Sequence, residues 1–353
     1  LRGVGPLYGF YLARAMRRFA SLSMVCGVSL VFAIVIETHF RFKLLSSTEG
    51  YGILAAALAV MLVAGLRYHA YGTLNVAIPG VSVGAMCLNF PDPDFVYLGG
   101  VLALGVVAAY AVTPDPRTRW LVWCMLAVMG FYWVWWIQKL RIPLLRHVPL
   151  DPSVGEGWFL PGLVLFVVAY ACQVSYAALR PGRPLGVFEC AAPGVTGVGA
   201  YIAARAVLVA QGESTQALGW AGICTTLVYL AHAAWFAYRN GRARRAATWF
   251  AAASLLILAV SVPDTISETP IMLGVWAFAA VTVAVWGKGR LGPVTQVAAI
   301  LLQSYACGIG VWRGILAAHV ALPLYEAAAM AGLCVVRAFH YAYMRREPRA
   351  ERN

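Results

Sequence analysis

Apolar residues gather into runs at about 21–37, 51–66, 71–90, 95–113, 119–138, 157–178, 185–210, 216–238, 246–262, 269–287, 293–312 and 319–341, each near the ~20 residues that a membrane helix needs. Apolar positions go all the way round each run. That predicts helices set in lipid or in a bundle core, not amphipathic surface helices. Strands of a membrane barrel would alternate apolar with polar, and these runs do not. The expected fold is all-α: a polytopic integral membrane bundle of about twelve transmembrane helices joined by short loops.

Composition agrees. Apolar residues make up 61% of the chain and charged residues 12%, against ~45–50% and ~25% in a soluble domain. This excludes a soluble globular enzyme, a disordered chain and a nucleic-acid-binding domain, despite a net charge of +13. The eight cysteines all fall in apolar runs and form no C-x-x-C pair, so they are expected to pack as buried small hydrophobes. The chain opens on Leu1 rather than Met, which leaves room for residues upstream.

The basic residues orient the bundle. If the N-terminus is cytoplasmic and every run crosses, most of the 27 Lys and Arg lie inside. They include Arg14, Arg17, Arg18, the 239–245 turn and the C-terminal arginines. Arg41, Lys43, Lys139, Arg141, Arg146 and Arg313 lie outside, and Arg205 lies within a span. Lys and Arg mark cytoplasmic loops, so both termini are expected to be cytoplasmic, in a multi-pass protein of the inner (plasma) membrane. Trp120 and Trp123 open the fifth run and Trp133, Trp135 and Trp136 close it, as aromatic belts at the two interfaces do.

Loops are short, so residues 1–353 are read as a single transmembrane domain. The longest loop, about 139–156, carries Pro143, Pro149, Pro152 and Gly155. A short motif recurs: Pro79-Gly80-Val81-Ser82 in the third run and Pro193-Gly194-Val195-Thr196 in the seventh, with Pro293-Val294-Thr295 opening the eleventh. A four-helix unit used near 1–115, 116–240 and 241–353 accounts for that spacing. Pro79, Gly80, Pro193 and Gly194 are candidate helix breaks, because proline frees backbone carbonyls that a lined cavity can use. The alternative is a kink with small-residue packing.

The stretch Gly65-Leu66-Arg67-Tyr68-His69-Ala70-Tyr71-Gly72, with the Pro79-Gly80 helix after it, resembles a family of uncharacterised bacterial multi-helix membrane proteins, a domain of unknown function. Ile271–Phe278 followed by Trp286-Gly287-Lys288-Gly289-Arg290 is similar to another helix-turn unit of that family. The resemblance implies a short-loop bundle and carries over no activity and no site residues.

Ionisable groups inside spans cost several kcal/mol and mark candidate sites. At ~1.5 Å per residue, Gln173, Glu189 and His232 lie at similar depth near the cytoplasmic ends of the sixth, seventh and eighth runs. A carboxylate beside an imidazole can carry a proton. Arg205 and Glu326 lie near the outer ends of the seventh and twelfth runs, with opposite charges, and are a candidate pair. Snorkelling to the surface is the competing reading for these groups. Gln303 is a further uncharged polar group in a span. Outside, Asp92 and Asp94 form an acidic Asp-x-Asp loop suited to a divalent cation or to acid–base work on a lipid-linked sugar donor. The prolines around Asp92 favour a rigid turn instead.

The P-loop, H-E-x-x-H and G-x-S-x-G motifs are absent from the sequence. Nothing nominates a catalytic residue, a metal or a cofactor. The expectation is a transporter-like or permease-like protein for an amphiphilic or lipid-linked substrate, in contact with membrane lipids and with no nucleic-acid partner. The alternatives are a non-catalytic subunit among other membrane subunits, and a membrane enzyme acting on a lipid-linked donor.

Overall fold

The computed structural model describes residues 17–67, 71–88, 90, 92–112, 118–179, 186–239, 244–287, 291, 293–312 and 324–345. Within them the chain is helical and holds no strand. The helices are α1 (Arg17–Ile36), α2 (Ser47–Arg67), α3 (Tyr71–Cys87), α4 (Phe95–Val112), α5 (Trp120–Leu145) and α6 (Glu156–Leu179). After them come α7 (Val187–Gln211), α8 (Gln216–Tyr238), α9 (Arg244–Thr265), α10 (Thr269–Gly287), α11 (Pro293–Val311) and α12 (Leu324–Arg345). Each apolar run coincides with one helix. Among the described residues, 9 helices are long and apolar enough to cross a membrane, and the protein is a helical multi-pass membrane protein. By contact the chain divides into two compact units, Leu1–Phe166 and Val167–Asn353, with the boundary inside α6.

In the first unit α3 lies against α1, α2, α4 and α5. Small residues let it approach closely: a Cβ placed on Gly84 would lie 2.5 Å from the Phe32 ring, and one on Gly105 of α4 would lie 3.1 Å from Ser82 Oγ. Such contacts replace the hydrophobic drive that lipid removes from helix–helix association. The expected break at Pro79-Gly80 does not form, and α3 runs through it. Proline costs the helix one hydrogen bond. Ser82, three residues on, donates its hydroxyl to the Ile78 carbonyl at 2.8 Å, while the carbonyl that the proline deprives of its helical donor is that of Asn75.

The tryptophans closing α5 also depart from expectation. Trp133 and Trp136 are buried, not at an interface. Their rings stack at 5.3 Å and 13°, Trp136 stacks on Phe95 at 5.6 Å, and Phe159 meets both edge-on. The Trp136 indole N–H donates to the Val154 carbonyl at 2.7 Å, and the Tyr132 hydroxyl donates to the Phe95 carbonyl at 2.7 Å. One aromatic core thus ties α4, α5 and the start of α6 together. Helix α5 continues to Leu145, seven residues past the expected end, and shortens the loop that follows.

That loop closes in a tight turn. The Asp151 carboxylate accepts the Ser153 N–H at 2.9 Å, which holds its pKa below the ordinary carboxylate value. Gly155 then takes φ +62°, with Val96 packed 2.7 Å from where a Cβ would stand. The left-handed region costs other residues about 1–2 kcal/mol. Gly155→Ala is therefore expected to destabilise the protein by at least that much, read as a lowered Tm in detergent.

In the second unit α9 lies against α7, α8, α10 and α11, and 78% of its apolar window is buried. Its alanine face makes this possible: Ala246, Ala247, Ala251 and Ala253 are all buried. The surrounded position thus recurs six helices apart, at α3 and α9, whereas the Pro-Gly motif recurs four apart. Helix α7 also runs unbroken through Pro193-Gly194. Thr196 donates to the Ala192 carbonyl at 2.8 Å, as Ser82 does in α3, and the Tyr229 hydroxyl donates to the Pro193 carbonyl at 3.1 Å. The cysteines are not uniformly buried: Cys190 is, while Cys26, Cys87, Cys172, Cys224 and Cys334 are exposed. A small apolar thiol is as well placed against lipid as in a core.

Candidate functional site

Gln173, Glu189 and His232 have separate settings. Glu189 is buried, and its Oε2 accepts the Gly186 N–H at 3.0 Å. It caps the N-terminus of α7, where a carboxylate is favoured by the helix dipole. His232 bonds through Nδ1 to the Val228 carbonyl of its own helix at 2.9 Å. Its ring stacks on Phe250 at 5.5 Å and 19°. Gln173 Oε1 is buried without a hydrogen-bond partner.

Arg205 is engaged by a carboxylate that the apolar runs had placed in a loop. Its Nε donates to Asp264 Oδ2 at 2.9 Å and Oδ1 at 3.0 Å. Tyr201 and Thr215 donate their hydroxyls to the same carboxylate at 2.7 and 3.1 Å. The Asp264 side chain is 5% exposed and that of Arg205 is 53%. This network joins α7, the turn before α8 and the end of α9. It is a structural fastener, since the carboxylate has donors on both oxygens. The Glu326 side chain lies outside the described residues.

The acidic loop at Asp92 and Asp94 is also spoken for. Asp92 forms an exposed ion pair with Lys139. Asp94 precedes α4 and accepts the Tyr97 N–H at 3.5 Å, a long N-cap contact. Pro91 lies outside the described residues. Among the described residues, three or more His, Cys, Asp or Glu side chains do not converge as a metal site would require.

The feature that can hold a molecule lies elsewhere in the second unit. Helices α10, α11 and α12 pack side by side. At one end Gly310 of α11 lies against Leu273 and Met330. At the other, Gln296 of α11 meets Ala284 and His340. Helices α10 and α12 therefore run parallel, with α11 antiparallel to both. A groove of about 780 Å³ opens between α10 and α12. One wall is Pro270, Gly274, Ala277, Val281 and Val285, a single stripe of α10. The other is Gly332, Leu333, Val336 and His340 of α12. From Pro270 to Val285 the groove is ~22 Å long, most of the ~30 Å hydrocarbon thickness.

Polar atoms collect where the groove meets His340, which is 5% exposed. Its Nδ1 lies 3.2 Å from Gln303 Oε1 and its Nε2 lies 3.4 Å from Gln296 Oε1. Gln296 is oriented by donating its Nε2 to the Ala284 carbonyl at 2.9 Å. Gln303 is 1% exposed, and its Nε2 has no partner. An apolar groove with a few buried polar groups at one end has the general form of a small-molecule site. Of this cluster only Gln303 stands out in the sequence. His340 falls at the last turn of its apolar run and reads as a surface residue. The available signal is the seven-residue spacing of Gln296 and Gln303, which places them on one face of α11.

No family model matches the chain, and no curated protein or solved structure does either.

Proposed function

We propose that the protein is a transporter-like or permease-like membrane protein for an amphiphilic or lipid-linked molecule, whose apolar chain lies in the α10–α12 groove. The observation that carries this reading is the groove itself. It is elongated, apolar along its length and polar at one end. Its volume suits one ligand. The engagement of Asp92 by Lys139 and of Asp94 at the start of α4 lends no support to the enzyme reading.

The topology we propose has all twelve helices crossing, with both termini on the arginine-rich, cytoplasmic side of the inner membrane. The positive-inside distribution supports it. The resemblance to uncharacterised bacterial multi-helix proteins accords with a short-loop bundle.

Two glycines permit a direct test. A Cβ on Gly274 or Gly332 meets nothing within 4 Å, and both line the groove. Gly274→Leu and Gly332→Leu thus start their side chains in open space on the groove wall, and glycine removal favours the helix. Each is expected to keep the wild-type Tm and to lower amphiphile flux into proteoliposomes at least 10-fold. Unchanged flux in both variants, with the fold intact, contradicts the reading.

A further inference from the structure

The polar end of the groove specifies a headgroup. The Gln296 amide is fixed by its bond to Ala284, so its oxygen faces His340 Nε2, and that nitrogen carries a hydrogen. At Nδ1 the Gln303 amide admits two arrangements. Amide oxygen and nitrogen exchange places by a flip: with Oε1 toward the ring, Nδ1 also carries a hydrogen and His340 is an imidazolium. With the amide turned over, Nε2 donates to a bare Nδ1 and the ring is neutral. Gln303 Nε2 has no other partner to hold it, so the amide follows the proton.

Among the described residues the imidazolium lacks a counter-charge nearby. Among the described helices, α10 and α11 are the ones that pack closely against α12. Helix α10 carries no titratable side chain between Thr269 and Gly287, and α11 carries only Tyr305 and Cys307. Tyr305 is turned onto Trp276. On α12 itself, Tyr343 lines the groove beside His340, and Arg337, Cys334 and Tyr341 are exposed. Arg345 is five residues on. The one acid of α12, Glu326, is fourteen residues away, ~21 Å along the axis. A buried cation without a counter-ion is costly. An anion arriving in the groove supplies that counter-ion.

We infer that the α10–α12 groove binds the anionic headgroup of a single-chain amphiphile, with His340 taking up one proton from solution as the anion binds. This rests on the groove reading above. The chain lies along α10, and the anionic oxygens sit at the His340 ring, displacing the long Nε2–Gln296 contact. Proton uptake and anion binding favour one another by linkage. The step is a protonation: a proton leaves the solvent and forms the Nδ1–H bond, and that N–H donates a hydrogen bond to Gln303 Oε1.

The test is binding of palmitate, hexadecyl phosphate and hexadecanol to the purified full chain in detergent. Wild type, His340→Gln, His340→Lys and Gly274→Leu are compared between about pH 6 and 8, around the imidazole range. Wild type is expected to bind both anions at least 10-fold more tightly than hexadecanol at pH 6, and the preference to shrink toward pH 8. His340→Gln loses the preference while keeping hexadecanol. His340→Lys, which keeps a cation, retains it with less pH dependence. The two anions separate a carboxylate source from a phosphate source, and a preference for either upholds the inference. Equal binding of all three probes at every pH, abolished by Gly274→Leu, overturns the headgroup inference and leaves the groove reading standing. Binding that Gly274→Leu does not reduce overturns both. If His340→Gln fails to fold, the wild-type pH series and His340→Lys decide.

Discussion

Trp136→Ala is expected to lower stability by about 3–5 kcal/mol, the range for removing a buried large aromatic. Trp136 is 2% exposed. It is the shared member of the stack that holds Phe95, Trp133 and Phe159. Truncation leaves a cavity among rings that cannot collapse without moving α4 against α5. It also strands the Val154 carbonyl, whose donor is the Trp136 indole. Thermal unfolding in a fixed detergent measures the effect. Trp136→Phe is expected to recover part of the loss, since it restores ring packing but not the N–H. A Trp136→Ala protein as stable as wild type would mean that these rings sit at a membrane interface, as the sequence suggested.

Asp264→Ala is expected to cost about 2–3 kcal/mol, the scale of hydrogen bonds to a charged group whose partners are then left unpaired. The carboxylate is buried and accepts from Arg205, Tyr201 and Thr215. Arg205 is half exposed, so water recovers part of its loss, and Arg205→Ala is expected to cost less. A double-mutant cycle isolates their coupling, expected to lie within the 0.5–3 kcal/mol found for residues in one network. Additive losses in the cycle would reduce the pair to an incidental contact.

The helices were legible because lipid demands long apolar runs with internally satisfied backbone, and every run has its helix. What the runs concealed were ends and faces. The ninth run stops at Val262 because Pro263 reads as a terminator. The helix carries on to Thr265, which brings Asp264 beside Arg205 across 59 residues of sequence. Lys139 reads as the start of a loop, yet it lies on α5 and reaches Asp92. Pro79 and Pro193 read as breaks because a proline signal is local. The helices run on through both, and the hydroxyls of Ser82 and Thr196, three residues on in the same repeated motif, bond to carbonyls one turn back. The tryptophans of α5 read as belts because indole suits an interface and a core equally well. The groove is the least legible feature, since it depends on which faces α10 and α12 turn toward each other.

The most direct measurement is photo-crosslinking of a diazirine-bearing palmitate to the protein in native membranes, with the labelled residues mapped by peptide mass spectrometry. Labels concentrated on Ala277, Val281, Gly332 and Val336, and lost in Gly274→Leu, are the predicted result. Labels spread equally over exposed apolar positions such as Val164 and Leu165 of α6, and unaffected by Gly274→Leu, would contradict an amphiphile site in the groove.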